Sequence, residues 1–423
     1  MFNKKISVGI TVSLMAVTAA ITFVITNNYS LSLFNSKVQS VTEREEIYTK
    51  LSELDSFART KFYKEIDEDY LMECIAKGYI FGLQDSYAEY YTAEEYAKVT
   101  QKDSGYTMGL GFTFEKEESG YIKVTSVMVN TAAHEAGMQA GDVILAVNDT
   151  DVIAYEGGYN EAVALLDCAE GTKVRLSVRR RVEADGAEAT VPPQFLNFEL
   201  VSRRDEIVSV TGRMIDDRYA YIKISTFNSK TAEQLKEKLD ELTAAGAVGI
   251  VFDVRDNLGG LVTSLSDCLN LIIGECDPVT AEYKDRTEVT VHTTAETEIK
   301  LPITVLVNGK TASCSELFAL ALRDEKNAQL VGTLTYGKGV MQTTHKLRDG
   351  SAVKVTVAVL KTKNSGEFTG VGVKPNFEME LPDGVDSKNI TIEQQLNGLD
   401  TQLSKALEVL DTTLGQQPAA KTE

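Results

Sequence analysis

Histidine is scarce in this 423-residue chain, occurring only as His134, His292 and His345. Three separated imidazoles leave little room for a His-rich metal site or a Ser-His-Asp triad. Cysteine is sparse as well. Cys74, Cys168, Cys268, Cys276 and Cys314 are odd in number, scattered and without a C-x-x-C pair. That pattern fits neither a disulfide framework nor a zinc site; free thiols are the expectation, with Cys268–Cys276 the one pairing left open. Nothing calls for a metal or a cofactor. Positive charge is in deficit: 43 Lys and Arg stand against 62 Asp and Glu, a net charge of −19. A phosphate backbone is therefore a poor partner, which excludes nucleic acid. Apolar residues at 43% and charged residues at 25% are present in ordinary measure, which excludes wholesale disorder. The length has capacity for about two to four domains.

The N-terminus sets the expected compartment. Lys4 and Lys5 precede an uncharged run from Ile6 to Ser36, whose most apolar part, Ile6 to Thr26, is long enough to cross a bilayer as a helix. A cleaved signal peptide has a shorter apolar region ending in small residues. Thr18-Ala19-Ala20 is a poor cleavage site because apolar residues continue past it. Residues 1–36 therefore read as an uncleaved signal anchor. The Lys pair stays inside, giving a single-pass cell-membrane protein with residues 37–423 extracytoplasmic.

Residues 37–104 lack proline and carry Leu71, Ile75, Tyr79 and Leu83 at helical spacing, predicting two or three helices. Between 105 and 206 the pattern turns to short strands and glycine turns, with the polar stretch Val182–Gln194 as a loop or hairpin tip. A β-α-β unit follows. Ala220–Thr226 reads as a strand, Thr231-x-x-Gln234 as a capping box, Leu235, Leu239 and Leu242 as one helical stripe stopped by Gly246, and Val248–Phe252 as a buried parallel strand. Ile303–Val307, a helix at about 312–323, Leu330–Val331 and a strand at 352–360 continue an α/β core over 207–380, with a helical tail at 381–423.

Gly109-Leu110-Gly111-Phe112 opens a strand with a glycine-bracketed loop able to turn backbone N–H groups onto a peptide carboxylate. It is followed by Ala136 to Asn148, where a short helix ends at glycine and a buried strand begins, and by a helix from Tyr159 to Leu166. This order resembles a PDZ domain. The resemblance implies that a substrate C-terminus adds as a strand between Phe112 and the helix at Tyr159. His134, on the short helix, reads as solvent-exposed.

Asn308 to Glu316 joins an apolar strand to an apolar helix. Ser313 at such a corner is either a helix cap or a nucleophile beside the positive end of the helix dipole. Lys338 lies between Gly337 and Gly339. It is either a solvated charge or, if burial without a counter-ion lowers its pKa, a general base that Gln342 orients without recharging it. Asp253 to Gly260 ends the buried strand, where α/β sheets place catalytic loops. Backbone amides at Gly259, Gly260 and Cys314 are the candidate oxyanion donors.

These segments together resemble the carboxyl-terminal processing peptidases, or tail-specific proteases. The motifs are the PDZ module, D-x-R-x-N-x-G-G at 253–260, S-x-S-E at 313–316 and G-K-G-x-x-Q at 337–342. The resemblance implies a crotonase-like mixed sheet with an inserted PDZ domain, and Ser313, Lys338 and Gln342 as nucleophile, base and lysine-orienting residue. It also implies polypeptide substrates with free C-termini, and a homodimer through the terminal helices. Leu258 stands where the family usually has proline, Thr311 replaces a serine and Cys314 an alanine. Asp85-Ser86-Tyr87 departs from the family's usual sequence, and no function is drawn from it. Asp324 matches some members and reads as structural. Competing readings are a Ser–His pair using His345, an inactive membrane-anchored PDZ adaptor, and a crotonase-type acyl enzyme, the last predicting neither PDZ module nor export signal.

Overall fold

The computed structural model describes residues 45–181, 192–294, 298–388 and 390–416, with isolated positions 22 and 26. The expected membrane helix lies outside the described residues; among those described, no helix is long and apolar enough to cross a membrane. The chain divides into two compact units, 1–76 and 77–423. In the first, residues 45–61 are helical and Arg59 pairs with Asp55 and Glu68. Every chemistry-bearing motif falls in the second.

There, the central sheet runs in the order Val210–Ile215, Tyr219–Ile224, Gly249–Asp253, Ile303–Val307, Gln329–Gly332, Phe377–Glu378, parallel except for its first pair. Both faces are covered, which explains the unbroken apolar runs. Ile250, Phe252, Val305 and Val307 point to the core under the helices Thr231–Ala244, Val262–Asn270 and Cys314–Lys326. Val251 and Leu306 alternate to the other face, against Leu403, Ala406 and Leu410 of the C-terminal helix Thr401–Gln416.

A second, antiparallel sheet is built around Ala352–Thr362, which pairs with Val340–Lys346, Cys276–Tyr283 and Gly366–Glu367. It also pairs with Glu89–Tyr91, a three-residue strand inside a stretch predicted as all helical. Three residues are too few for a period-2 signal to show. A third sheet, from Phe112–Lys116 to Gln194–Val201 and belonging to the smaller domain, closes over Ile122, Val124, Ile144 and Leu176. The hairpin of Lys173–Arg180 with Gln194–Val201 is present, its tip 182–191 lying outside the described residues.

The expected capping box at Thr231 does not form. Gln234 Oε1 instead accepts from the Ser209 and Val210 N–H groups, while Asn228 Oδ1 takes the Lys230 N–H. Gly246 does end that helix, with φ +93°.

Arg255 joins the central strand to the C-terminal helix. Its side chain is fully buried, with Nη2 2.7 Å from Asp253 Oδ2 and 2.8 Å from Asp400 Oδ2, and Nη1 2.9 Å from Gln402 Oε1. Burial pushes the Asp253 carboxyl up, but the Arg255 charge and the Tyr221 hydroxyl outweigh it and hold it below the usual aspartate value. A buried charge that loses its partner costs about 3–5 kcal/mol. Arg255→Leu, which strands two carboxylates, is expected to lower unfolding free energy by that order in urea titrations. In the unmodified protein the Asp253 contribution is complete above an aspartate's ordinary pKa of about 3.9 and is lost as pH falls through its lower folded value. An unchanged urea midpoint in the variant would count against this account.

Candidate active site

Ser313 ends the turn between the Ile303–Val307 strand and the Cys314–Lys326 helix, with φ +58° and ψ −120°. The Asn and Asp residues with positive φ elsewhere are of types that tolerate it. A serine at this ψ is outside the left-handed helical well and costs about 1–3 kcal/mol, a strain that persists only where the surroundings impose it. Here they do. Ser313 N–H donates to Glu316 Oε2 at 2.8 Å, Thr311 Oγ1 donates to the Val254 carbonyl at 2.9 Å, and Ala312 N–H donates to the Asn257 carbonyl at 3.0 Å.

Glu316 is the residue whose task the sequence did not disclose. It is fully buried. Besides Ser313 N–H, Oε2 accepts from Lys338 N–H at 2.9 Å, and Oε1 accepts from Gly337 N–H at 2.7 Å and from the Thr335 hydroxyl. One oxygen thus holds the backbone nitrogens of Ser313 and Lys338 within a hydrogen-bond length of itself.

Lys338 is half-buried and forms no ion pair among the described residues. Burial, then the nearby Lys354 charge, lowers its pKa; Cys314, Glu89 and Asp85 oppose that. Lys354 differs in having a counter-ion, Glu89. The Lys338 ammonium position lies 4.7 Å from the centroid of the Tyr87 ring. So the segment Asp85–Tyr87, from which the sequence yielded nothing, forms a wall of the lysine's pocket. Gln342 Nε2 donates to Val340 O at 3.4 Å and Thr356 Oγ1 at 3.3 Å, and no hydrogen bond joins it to Lys338.

The 253–260 loop packs against this corner. Gly260 is obligatory: a Cβ there would fall 2.1 Å from the Phe227 carbonyl oxygen. Gly259 N–H is consumed by Asn257 Oδ1 at 2.9 Å, which removes it from the expected oxyanion donors. Among the described residues no oxygen accepts from the Gly260 or Cys314 N–H groups. The Cys314 thiol donates to the Gly260 carbonyl at 3.2 Å, and burial pushes its pKa up to about 11, so it stays a thiol. Leu258, within this loop, is 71% exposed. His345 is exposed on its strand, and Asp324 binds the 362–365 turn through Thr362 and Ser365.

In the smaller domain, Gly109 ends one strand and Phe112 begins the next. Gly111 has no room for a side chain, since a Cβ would meet Thr131 at 2.1 Å. Ala133 N–H donates to the Leu110 carbonyl at 2.9 Å, committing that carbonyl to the short helix Ala132–Glu135 on which His134 is exposed. Phe112, Phe114, Tyr159 and Val163 are partly buried against the domain core. Lys116 Nζ lies 5.1 Å from the Tyr159 ring, which sets strand beside helix.

Comparison with known proteins agrees with this arrangement. A profile for peptidase family S41 matches residues 218–379, and one for the PDZ domain matches 123–180. The chain is 32% identical over 370 residues to the carboxy-terminal processing protease CtpA of Bacillus subtilis, covering 87% of this chain and 75% of that protein. It is 32% identical over 312 residues to the chloroplastic carboxyl-terminal-processing peptidase 1 of Arabidopsis thaliana, covering 72% and 61%. A solved structure from Bacteroides fragilis, described as an S41 protease, aligns with a TM-score of 0.53 at 16% identity over 84% of this chain and 92% of that one, a likeness of fold.

Glu316→Gln puts an amide where four donors converge. With each orphaned buried donor worth about 1–3 kcal/mol, it is expected to cost about 2–4 kcal/mol in urea unfolding. A wild-type midpoint would show that the carboxylate is not the tether.

Proposed function

This chain belongs to peptidase family S41, with the carboxy-terminal processing proteases, and from that premise we propose that it is a serine endopeptidase working through a Ser313–Lys338 dyad. The observation that carries the proposal is a half-buried lysine without a counter-ion, tethered through its backbone to the same carboxylate oxygen as a strained serine.

The neutral Lys338 amine takes the Ser313 hydroxyl proton as Oγ attacks a peptide carbonyl. Negative charge gathers on the carbonyl oxygen, for which the proposed donors are the amides of Gly260, in the 253–260 loop, and of Cys314, at the helix N-terminus. The Lys338 ammonium then protonates the leaving amine, and C–N cleavage leaves a Ser313 ester. Water, deprotonated by the same amine, attacks the ester and releases the new C-terminus. Gln342 orients the amine without adding charge. A cysteine nucleophile is disfavoured by the protonated, buried Cys314, and a histidine base by the exposure of His345.

The proposed substrates are loosely folded polypeptides whose free C-terminus docks at Gly109–Phe112, adding a strand beside Phe112–Lys116 against Tyr159. The proposed location is the outer face of a membrane, on the strength of Lys4, Lys5 and the Ile6–Thr26 run. A homodimer rests on the family alone.

Ser313→Ala and Lys338→Ala are each expected to lower kcat on an unstructured peptide by about 10⁴-fold or more, with His345→Ala near wild type. Because only the neutral amine is competent, kcat/KM is expected to rise with pH along a limb centred below the ordinary lysine value of 10.5. Retained cleavage by the lysine variant removes the dyad. Binding of a peptide end without cleavage by the intact protein would favour the inactive adaptor.

A further inference from the structure

Gln342 and Thr356 face each other across a defect in the sheet. The pairing of Val340–Lys346 with Ala352–Thr362 slips at this point: Met341 opposes Ala358, yet Gln342 opposes Thr356, leaving Val357 over. Bulges of this kind re-aim a side chain and recur beside active sites.

The direction of each hydrogen bond here follows from one acid. Asp85 accepts from the N–H groups of Tyr87 at 3.0 Å and Thr356 at 2.9 Å. Burial pushes its carboxyl up, but these bonds outweigh that and keep it below the usual aspartate range. As a carboxylate it can only accept. The Thr356 hydroxyl therefore donates to Asp85 Oδ1, at 3.1 Å, and its oxygen has only lone pairs left. Those lone pairs take the amide NH₂ of Gln342 at 3.3 Å, whose second proton goes to the Val340 carbonyl at 3.4 Å. With both N–H bonds spent, the free end of the Gln342 amide is its carbonyl oxygen, an acceptor. The same Asp85 turn carries Tyr87 to within 4.7 Å of Lys338 Nζ.

We propose that Asp85 and Thr356 are positioning residues of the peptidase site. Their relay fixes which end of the Gln342 amide is left to meet the Lys338 amine. The inference rests on the role given to Gln342 in the Ser–Lys mechanism. Without the relay the amide is free to turn over and present NH₂, which competes with the lysine protons instead of accepting them.

The test is steady-state cleavage of an unstructured peptide by the full chain carrying Thr356→Val, Thr356→Ser, Gln342→Ala, or Thr356→Val with Gln342→Ala. Thr356→Val suits the strand and deletes only the hydroxyl. It is expected to lower kcat about tenfold, the effect of one lost hydrogen bond, with KM within about twofold. Thr356→Ser, which keeps the hydroxyl, is expected to restore kcat. In the Gln342→Ala background, Thr356→Val is expected to add nothing, because the relay then has no amide to orient. Unchanged kcat in Thr356→Val overturns the relay, and so does a loss that persists in full on top of Gln342→Ala. Full activity in Gln342→Ala itself overturns the role of Gln342, and the relay with it; a lowered kcat there with additive loss in the double variant overturns the relay alone.

Discussion

A single buried carboxylate, accepting three backbone N–H groups and one hydroxyl, ties two distant segments of this chain into one corner. Glu316 lies on the first turn of the helix after Ser313, so its reach to the Ser313 N–H is local and follows from helix geometry. Its reach to Thr335, Gly337 and Lys338 is not local, and that half brings the lysine loop to the serine. The arrangement separates backbone from side chain. The carboxylate is spent on main-chain donors, so the Lys338 amine keeps no counter-ion of its own. A negative charge placed at the amine would have fixed its position equally well and held it protonated.

The central sheet supplies the rigidity on which that corner depends. Gly249–Asp253 and Ile303–Val307 are buried on both faces and run parallel, so the 253–260 loop and the Ser313 turn leave the same edge side by side. The loop is then held from below by Arg255, whose guanidinium is shared between Asp253 and Asp400, and from the side by Asn257, which bonds the Ile224 carbonyl and the Gly259 N–H. An arginine buried between two acids is a poor way to gain stability compared with apolar packing. It is a direct way to fix the register of a loop against a helix whose own contacts are largely aliphatic.

What could be read from the amino acids was whatever repeats within a few residues. The runs 248–252 and 303–307, the leucine stripe ended by Gly246, the glycine-bracketed loop at 109–111 and the serine at a strand-to-helix corner all carry local patterns, and all lie in corresponding elements. What escaped was long-range. Glu316 looks like an ordinary first-turn acid until Thr335 and Gly337 fold over it. Asp85 and Tyr87 lie about 250 residues from the lysine they adjoin, in the turn before a strand, Glu89–Tyr91, too short to show alternation. Gly259 and Gly260 read alike in sequence, yet a side chain two residues upstream takes the N–H of one and leaves the other. The capping box at Thr231 failed for the same reason, since Gln234 found tertiary partners in Ser209 and Ile207.

The pairing of Glu89–Tyr91 with Ala352–Thr362 has a consequence for the order in which this protein comes into being. Ribosomes deliver Asp85 and Tyr87 early and Thr356 late, and the closure between them spans most of the chain. A growing polypeptide that already displays Ser313 still lacks the Tyr87 wall beside Lys338. The long-range strand pairing thus sets an order of assembly: the chain through Thr356 must be made before the lysine pocket can have all its sides.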